Sequence, residues 1–351
     1  MFLSHWKRRS AFPDKKPYNI IVKSNFHNDD KHATSLGTAF SSTIFLGVHR
    51  CTRNFGVIAR VRQSATAPLF AADGAPQYDK IEATLDKVEK VADGSYMLQV
   101  KVSNDDVTLD YKPGHVLALE MEDKSDDWND DTKRNGGWMR GPYTVSRATE
   151  KSLDFLVRVV GKKSKTLVES PLGTPLRFGG KFKVPILDGV NKDLTQKVLL
   201  LSTGVGLGPC IGSIEMAMQD ESFPPISLLA SFREENDVPY RDHLDQLAKD
   251  NPHKFEWQPV ISSKVGRISS SEENLKQFVG SRIEDMGLSD THYHVIGNGQ
   301  MVNEWKKGLK NAGVPEERLT TELYFNSRVD VDEKAIENIS SVISSACAVQ
   351  T

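Results

Sequence analysis

The chain has 351 residues, 38% hydrophobic and 26% charged, with a formal net charge of −2, and at roughly 150 residues per domain it has room for two. No run of eighteen apolar residues is present to cross a bilayer as a helix, and neither a membrane span nor a nucleic-acid partner is expected. Three cysteines, Cys51, Cys210 and Cys347, lie too far apart for a C-x-x-C metal site or a disulfide framework, and an iron-sulfur cluster needs more ligands than they supply, so no metal centre is expected.

The charge is distributed unevenly: residues 1–71 hold eleven Lys or Arg against three Asp or Glu, and no acidic residue stands between Lys31 and Ala72. Ser, Thr and Arg recur there. That is the composition of an organelle transit segment, so residues 1–75 are read as a basic N-terminal extension directing the chain to a mitochondrion or plastid.

From Lys80 onward short alternating segments follow one another: "IEATLDKV", "SYMLQVKV", "HVLALEM", "YTVSRA", "SLDFLVRVV" and "TPLRFGGKF". Alternation with period two, broken by Asp93-Gly94 and Pro113-Gly114, predicts six strands, and six in about a hundred residues predict a small antiparallel β-barrel over 78–188. The acidic stretch from Glu120 to Asp131 reads as a solvated loop.

After Asp188-Gly189 the rhythm changes. Apolar runs "KVLLLS", "ISLLASF", "FEWQPVIS" and "HYHVIG" alternate with helical patterns at 211–219, 241–249, 272–279 and 301–311. Such alternation predicts an α/β domain over 195–326 with a parallel sheet, whose ligands bind at the C-terminal ends of the strands. In a C-terminal extension, 327–351, Ile336, Ile339, Val342 and Ile343 recur at helical spacing and predict a helix docked on the core.

One such strand end reads "VLLLSTGVGLGP", Val198 to Pro209. Continuous apolar residues make a buried parallel strand. Glycines at 204, 206 and 208 permit close backbone approach or positive φ, and Pro209 suits a helix start. Strand, glycine turn and helix N-terminus together form an anion site suited to a nucleotide pyrophosphate.

Four motifs in register over residues 80–325 make the chain resemble the ferredoxin-NADP reductase family of flavoproteins. The first is "RGPYTVS", 140–146, similar to the family's R-x-Y-[ST] flavin strand. The resemblance implies that Tyr143 stacks on the isoalloxazine and Thr144 bonds its reactive nitrogen, with Val145 and Ser146 adjoining. Arg140 stands one residue upstream of the family's pyrophosphate arginine, Gly141 holds that place, and Arg158 is the substitute. The second, "GKKSKTL", resembles G-x-x-S-x-x-L, in which Gly161, Lys163 and Ser164 hold the flavin phosphates. Ser164 equally suits a helix cap. The third is the glycine turn, similar to T-G-x-G-x-x-P, with Thr203, Gly204, Gly206 and Pro209 receiving the nicotinamide nucleotide. The fourth, "VIGNGQMV", resembles C-G-x-x-x-M-V through Gly297, Asn298 and Met301, with Ile296 in place of the cysteine. "TTELYF" supplies Glu322 and Tyr324, similar to the E-x-Y that ends plant-type reductases, where the tyrosine covers the flavin.

The resemblance implies an antiparallel FAD-binding barrel followed by an NAD(P)-binding α/β domain, and an enzyme that passes hydride between NAD(P)H and FAD. Its catalytic residues are expected to be Tyr143, Thr144, Glu322 and Tyr324. Ser231, Arg233 and Tyr240, after the second α/β strand, would hold the ribose phosphate of NADPH, while Glu234 and Glu235 oppose it and leave NADH open. Without an iron-sulfur or haem ligand set, electrons would leave to a separate carrier such as a ferredoxin, flavodoxin or cytochrome. "KRNGGWMR" and "KKSK" offer a basic face for an acidic carrier. The alternatives are an NADH-dependent cytochrome b5 reductase-like enzyme and a non-catalytic flavin-binding subunit.

Overall fold

The structure is a computed structural model describing residues 78–125, 129–284, 286–324 and 329–347; the expected transit segment lies outside them. All described residues fall in one compact unit.

The first lobe is a seven-stranded sheet, every pairing antiparallel, in the order β4-β3-β7-β1-β2-β6-β5. Its strands are β1 Ile81–Ala92, β2 Ser95–Val102, β3 Val116–Glu122, β4 Trp138–Thr144, β5 Arg147–Ala148, β6 Ser152–Arg158 and β7 Pro175–Gly179. Alternation puts Leu85, Leu98, Leu117, Phe155 and Phe178 into one core, each at most 1% exposed. Helix α1, Asp130–Arg134, precedes β4, and α2, Lys162–Glu169, follows β6. The segment expected as one strand, "YTVSRA", is two: β4 ends at Thr144 and β5 opens at Arg147.

The solvated-loop expectation for Glu120–Asp131 is corrected in its first half. Glu120 lies within β3 and is wholly buried, and Asp123 is nearly so. Charge here is paired instead of hydrated. Arg140 and Arg177 stand opposite Glu120 on the two flanking strands, and Lys80 approaches to 3.1 Å. Four charged groups in a row tie the sheet edge together, with Trp138 stacked 3.9 Å from the Arg177 guanidinium.

The second lobe is a five-stranded parallel sheet, β10-β9-β8-β11-β12, formed by β8 Lys197–Thr203, β9 Ile226–Phe232, β10 Phe255–Ile261, β11 Thr291–Asn298 and β12 Leu319–Tyr324. Connections run through α3 Leu207–Met218, α4 Arg241–Asp250, α5 Ser262–Val265, α6 Glu272–Leu275, α7 Ser281–Ile283 and α8 Gly299–Asn311. The helix expected over 272–279 is α6 running on into a wider π turn, Lys276–Gly280. Helix α9, Glu333–Cys347, buries Ile336, Ile339, Val342 and Ile343 as the spacing predicts. It approaches α8 at Gly308, where a Cβ would come 2.6 Å from Ile339.

Candidate functional site

At the end of β8 each glycine of the turn answers a different constraint. Gly204 takes φ +54°, and no atom lies within 4 Å of where its Cβ would stand, so only a hydrogen there leaves the backbone open to a ligand. A Cβ on Gly206 would meet the Ile296 carbonyl at 2.9 Å, and one on Gly208 the Ser146 hydroxyl at 2.3 Å. Gly212, one turn further along α3, faces the Ser146 carbonyl at 1.9 Å. The last two let α3 lie directly on the first lobe. The helix begins at Leu207, which makes Pro209 its third residue, still among the positions whose N–H has no intrahelical partner.

The neighbouring strand end is locked to the turn. The Thr203 hydroxyl accepts from the Asn298 N–H at 2.8 Å, and Gly297, at φ +129°, has no room for a Cβ beside that oxygen. Asn298 caps α8 by accepting from the N–H groups of Gln300 and Met301. A cleft of about 420 Å³ opens above these strand ends. It brings together Thr203, Gly204, Gly297, Asn298 and Met301 with Ser231 and Arg233 from β9 and its following loop. Arg158 and Val160 reach it from the first lobe and Tyr324 from β12, so both lobes wall one cavity.

Tyr324 connects the cleft to a second cluster. The Thr144 hydroxyl donates to the Glu322 carboxylate across the lobe boundary, and the Tyr324 hydroxyl bonds with the same pair. Burial raises the Glu322 carboxyl from 4.5 to about 7, with the Thr144 hydrogen bond and Lys183 acting in the opposite sense. Burial also lifts Tyr324 well above the ordinary phenol range. Tyr143, one residue from Thr144, is half-buried, edge-on to Phe155 at 6.1 Å, and its ring folds over Gly141. Where the resemblance expects a cysteine, Ile296 is fully buried; the Cys210 thiol, on α3, is instead the sulfur within electrostatic reach of Glu322.

Three expectations need correction. Arg140 cannot join Tyr143: the β3–β4 register runs unbroken from Trp138 to Thr144, so residues three apart point to opposite faces, and Arg140 is bound to Glu120 at 3.2 Å and Asn135 at 2.9 Å. Tyr240 does not line the cleft with Ser231 and Arg233; its ring lies 5.3 Å from the Arg147 guanidinium, which also forks onto Glu215 of α3. The Ser164 hydroxyl serves the helix-cap role, accepting from the Val160 and Gly161 N–H groups and donating to the Gly161 carbonyl. Lys163 donates to the Arg140 carbonyl at 2.6 Å, at the edge of the same strand.

Sequence reasoning missed Arg267 and Glu304, which line the cleft from beyond β10 and from α8. A signal was present. Ser262 to Arg267 follow a parallel strand at its C-terminal end, where ligands gather. It also missed a buried row in which the Thr320 hydroxyl meets His292 at 3.0 Å and His294 at 2.8 Å. Burial lowers those imidazoles to about 4 and about 3, so both are neutral near pH 7.

Comparison with known proteins gives a match over residues 200–307 to the oxidoreductase NAD-binding domain. A flavodoxin/ferredoxin-NADP reductase of Buchnera aphidicola is 26% identical over 189 residues, 51% of this chain and 75% of that one. The anthranilate 1,2-dioxygenase electron transfer component of Acinetobacter baylyi is 21% identical over 71% of this chain and 68% of its own. In fold, the chain is similar to a ferredoxin NADP+ reductase from Neisseria gonorrhoeae solved with FAD and NADP, with a TM-score of 0.57 at 16% identity over 70% of this chain and 100% of that one.

Proposed function

We infer that this chain, a member of the ferredoxin-NADP reductase-like flavoproteins, is an FAD-dependent enzyme that takes reducing equivalents from NAD(P)H and passes them to a separate electron carrier. The observation that carries the reading is one junction: Thr144 of the first lobe bonded to Glu322 of the second, with Tyr324 joining that pair to the cleft of the glycine turn.

The residues fit the two cofactors. Gly204, at φ +54° on the cleft wall, and Gly161, before α2, both have open space where a Cβ would stand, so a ligand can approach the backbone there. The first-turn N–H groups of α2 and the positive end of its dipole suit a flavin diphosphate, in a chain whose Arg140 is committed elsewhere. Tyr143 and Thr144 would hold the ring system, and Thr203 with Gly204 and Gly206 the nicotinamide dinucleotide. When bound, FAD supplies the two-electron to one-electron conversion that no side chain can perform.

What the chain itself contributes is alignment and one proton. Tyr324 at the junction and Val160 at the cleft wall narrow the space that a flavin and a nicotinamide must share, and holding donor and acceptor in contact geometry removes much of the barrier. Glu322 keeps a proton up to about pH 7 while one of its oxygens accepts from the Thr144 hydroxyl. The carboxyl is thus able to give or take a proton as the charge beside it changes.

The carrier we propose is a ferredoxin or flavodoxin, by likeness to the relatives' names, with a cytochrome as the second choice. Of the basic residues expected to dock it, Arg140 is tied to Glu120 and Lys162 to Asp123, while Lys133 and Lys165 remain exposed. We also propose import into a mitochondrion or plastid, from the acid-poor composition of residues 31–72. The test is NADPH- or NADH-driven reduction of cytochrome c with ferredoxin or flavodoxin added as the link: the reading predicts turnover that requires the added carrier, and no turnover with any carrier contradicts it.

A further inference from the structure

Beyond the expected E-x-Y ending, Asp332 contacts two residues of the cleft wall, Arg267 and Glu304. Asp332, just before α9, uses its carboxylate twice. Oδ1 accepts from the N–H groups of Lys334 and Ala335 and caps the helix. Oδ2 accepts from Arg267 at 3.2 Å. The same guanidinium reaches Glu304 at 3.3 and 3.5 Å. Glu304, wholly buried, is held in turn by Gln300 at 2.8 Å, Ser269 at 3.4 Å and the Asp332 N–H at 3.0 Å. Arg267 is therefore held by two carboxylates, Asp332 and the cleft-lining Glu304, while it lines the cleft shared with Arg233 and Ser231.

We propose that the C-terminal segment is part of the nucleotide site: Asp332 and Glu304 fix the fork of Arg267 so that it meets the adenosine-end phosphate of NADPH beside Arg233. This rests on the oxidoreductase reading above and names its nucleotide. Two effects of Asp332 oppose each other. Its charge repels a phosphate, and its hydrogen bond immobilises a side chain that otherwise carries large rotamer entropy. Orientation wins because the Asp332 side chain is 42% exposed, where water and salt screen its charge, whereas preorganisation is not screened. Arg233, 84% exposed, is paired among the described residues with Glu234 alone, at 4.0 Å. Asp332 is thus a positioning residue, and by linkage a nucleotide that needs Arg267 in place must in return favour a docked α9.

The test uses the full chain, with 2′,5′-ADP and 5′-AMP as probes that differ by the phosphate in question. Asp332→Asn keeps an acceptor for the helix cap, for which Asn is as good as Asp, but turns an amide N–H toward Arg267. It is expected to weaken 2′,5′-ADP binding roughly tenfold, the scale of a lost preorganised charged contact, to leave 5′-AMP binding unchanged, and to raise the KM for NADPH with kcat held. Arg267→Gln should do the same. Amide hydrogen exchange across 333–347 should slow on adding 2′,5′-ADP to the parent chain and not to Asp332→Asn. Equal or tighter 2′,5′-ADP binding by Asp332→Asn, or a parent chain that does not prefer 2′,5′-ADP to 5′-AMP, overturns the proposal. The oxidoreductase reading fails separately, if neither NADPH nor NADH reduces bound flavin.

Discussion

Thr144 on β4 and Glu322 on β12 are 178 residues apart in sequence and share a hydrogen bond. The carboxyl is buried and raised to about 7. Below that pH it is neutral, so the step that draws on its proton should slow as pH rises through about 7. Glu322→Gln removes the titration: the flavin-reduction rate, followed by rapid mixing from pH 5 to 9, should lose its inflection near 7 while other pH effects persist.

Stability follows the same group with a definite sign. A carboxyl raised in the folded state binds more protons folded than unfolded between its two pKa values, so its contribution is full below about 4.5 and is lost as pH climbs through about 7. Thermal melts of the parent chain should therefore fall across that window more steeply than those of Glu322→Gln. A parallel pair of melting curves would show that Glu322 does not titrate there.

Removing the other partner tests the hydrogen bond itself. Thr144→Val keeps the shape but leaves Glu322 one donor short; above about pH 7, where the carboxyl is ionised, a hydrogen bond to a charged group is worth about 1.5–3 kcal/mol, which corresponds to roughly 10- to 100-fold in rate if the bond is made in the transition state. The reduction rate, measured on protein saturated with FAD, should drop.

Gly212 tests the seam between the lobes. A Cβ there would stand 1.9 Å from the Ser146 carbonyl, so Gly212→Ala must push α3 off the first lobe. Overpacking of this kind costs about 1–3 kcal/mol, to be read as a lower denaturant midpoint. Gly204→Ala, by contrast, meets no atom but must hold φ +54°; its cost should be smaller in stability and larger in KM for the nucleotide.

Much of the architecture was legible because period is local. β2 and β9 fall on the bounds that alternation and apolar runs predict, and the buried face of α9 is the one its isoleucines mark. Roles that depend on which face a strand presents were not local. Arg140 looks like a phosphate ligand by spacing, and only the unbroken register with β3 turns it toward Glu120. Tyr240 is near Arg233 in sequence yet packs on Arg147, a residue of the other lobe. Arg267 and Glu304 become part of the cleft only when the sheet brings the segment after β10 and the helix after β11 to the same end of its strands. Gly208 and Gly212 were visible as glycines, but their reason, Ser146, is more than sixty residues away.

The most direct measurement is an anaerobic titration of the purified chain with NADPH and with NADH, following the flavin absorbance. The account predicts a yellow protein carrying bound FAD that bleaches promptly on mixing with reduced nucleotide, faster in the parent than in Thr144→Val. A colourless protein that takes up no FAD, or a yellow one whose colour neither nucleotide discharges, would contradict it.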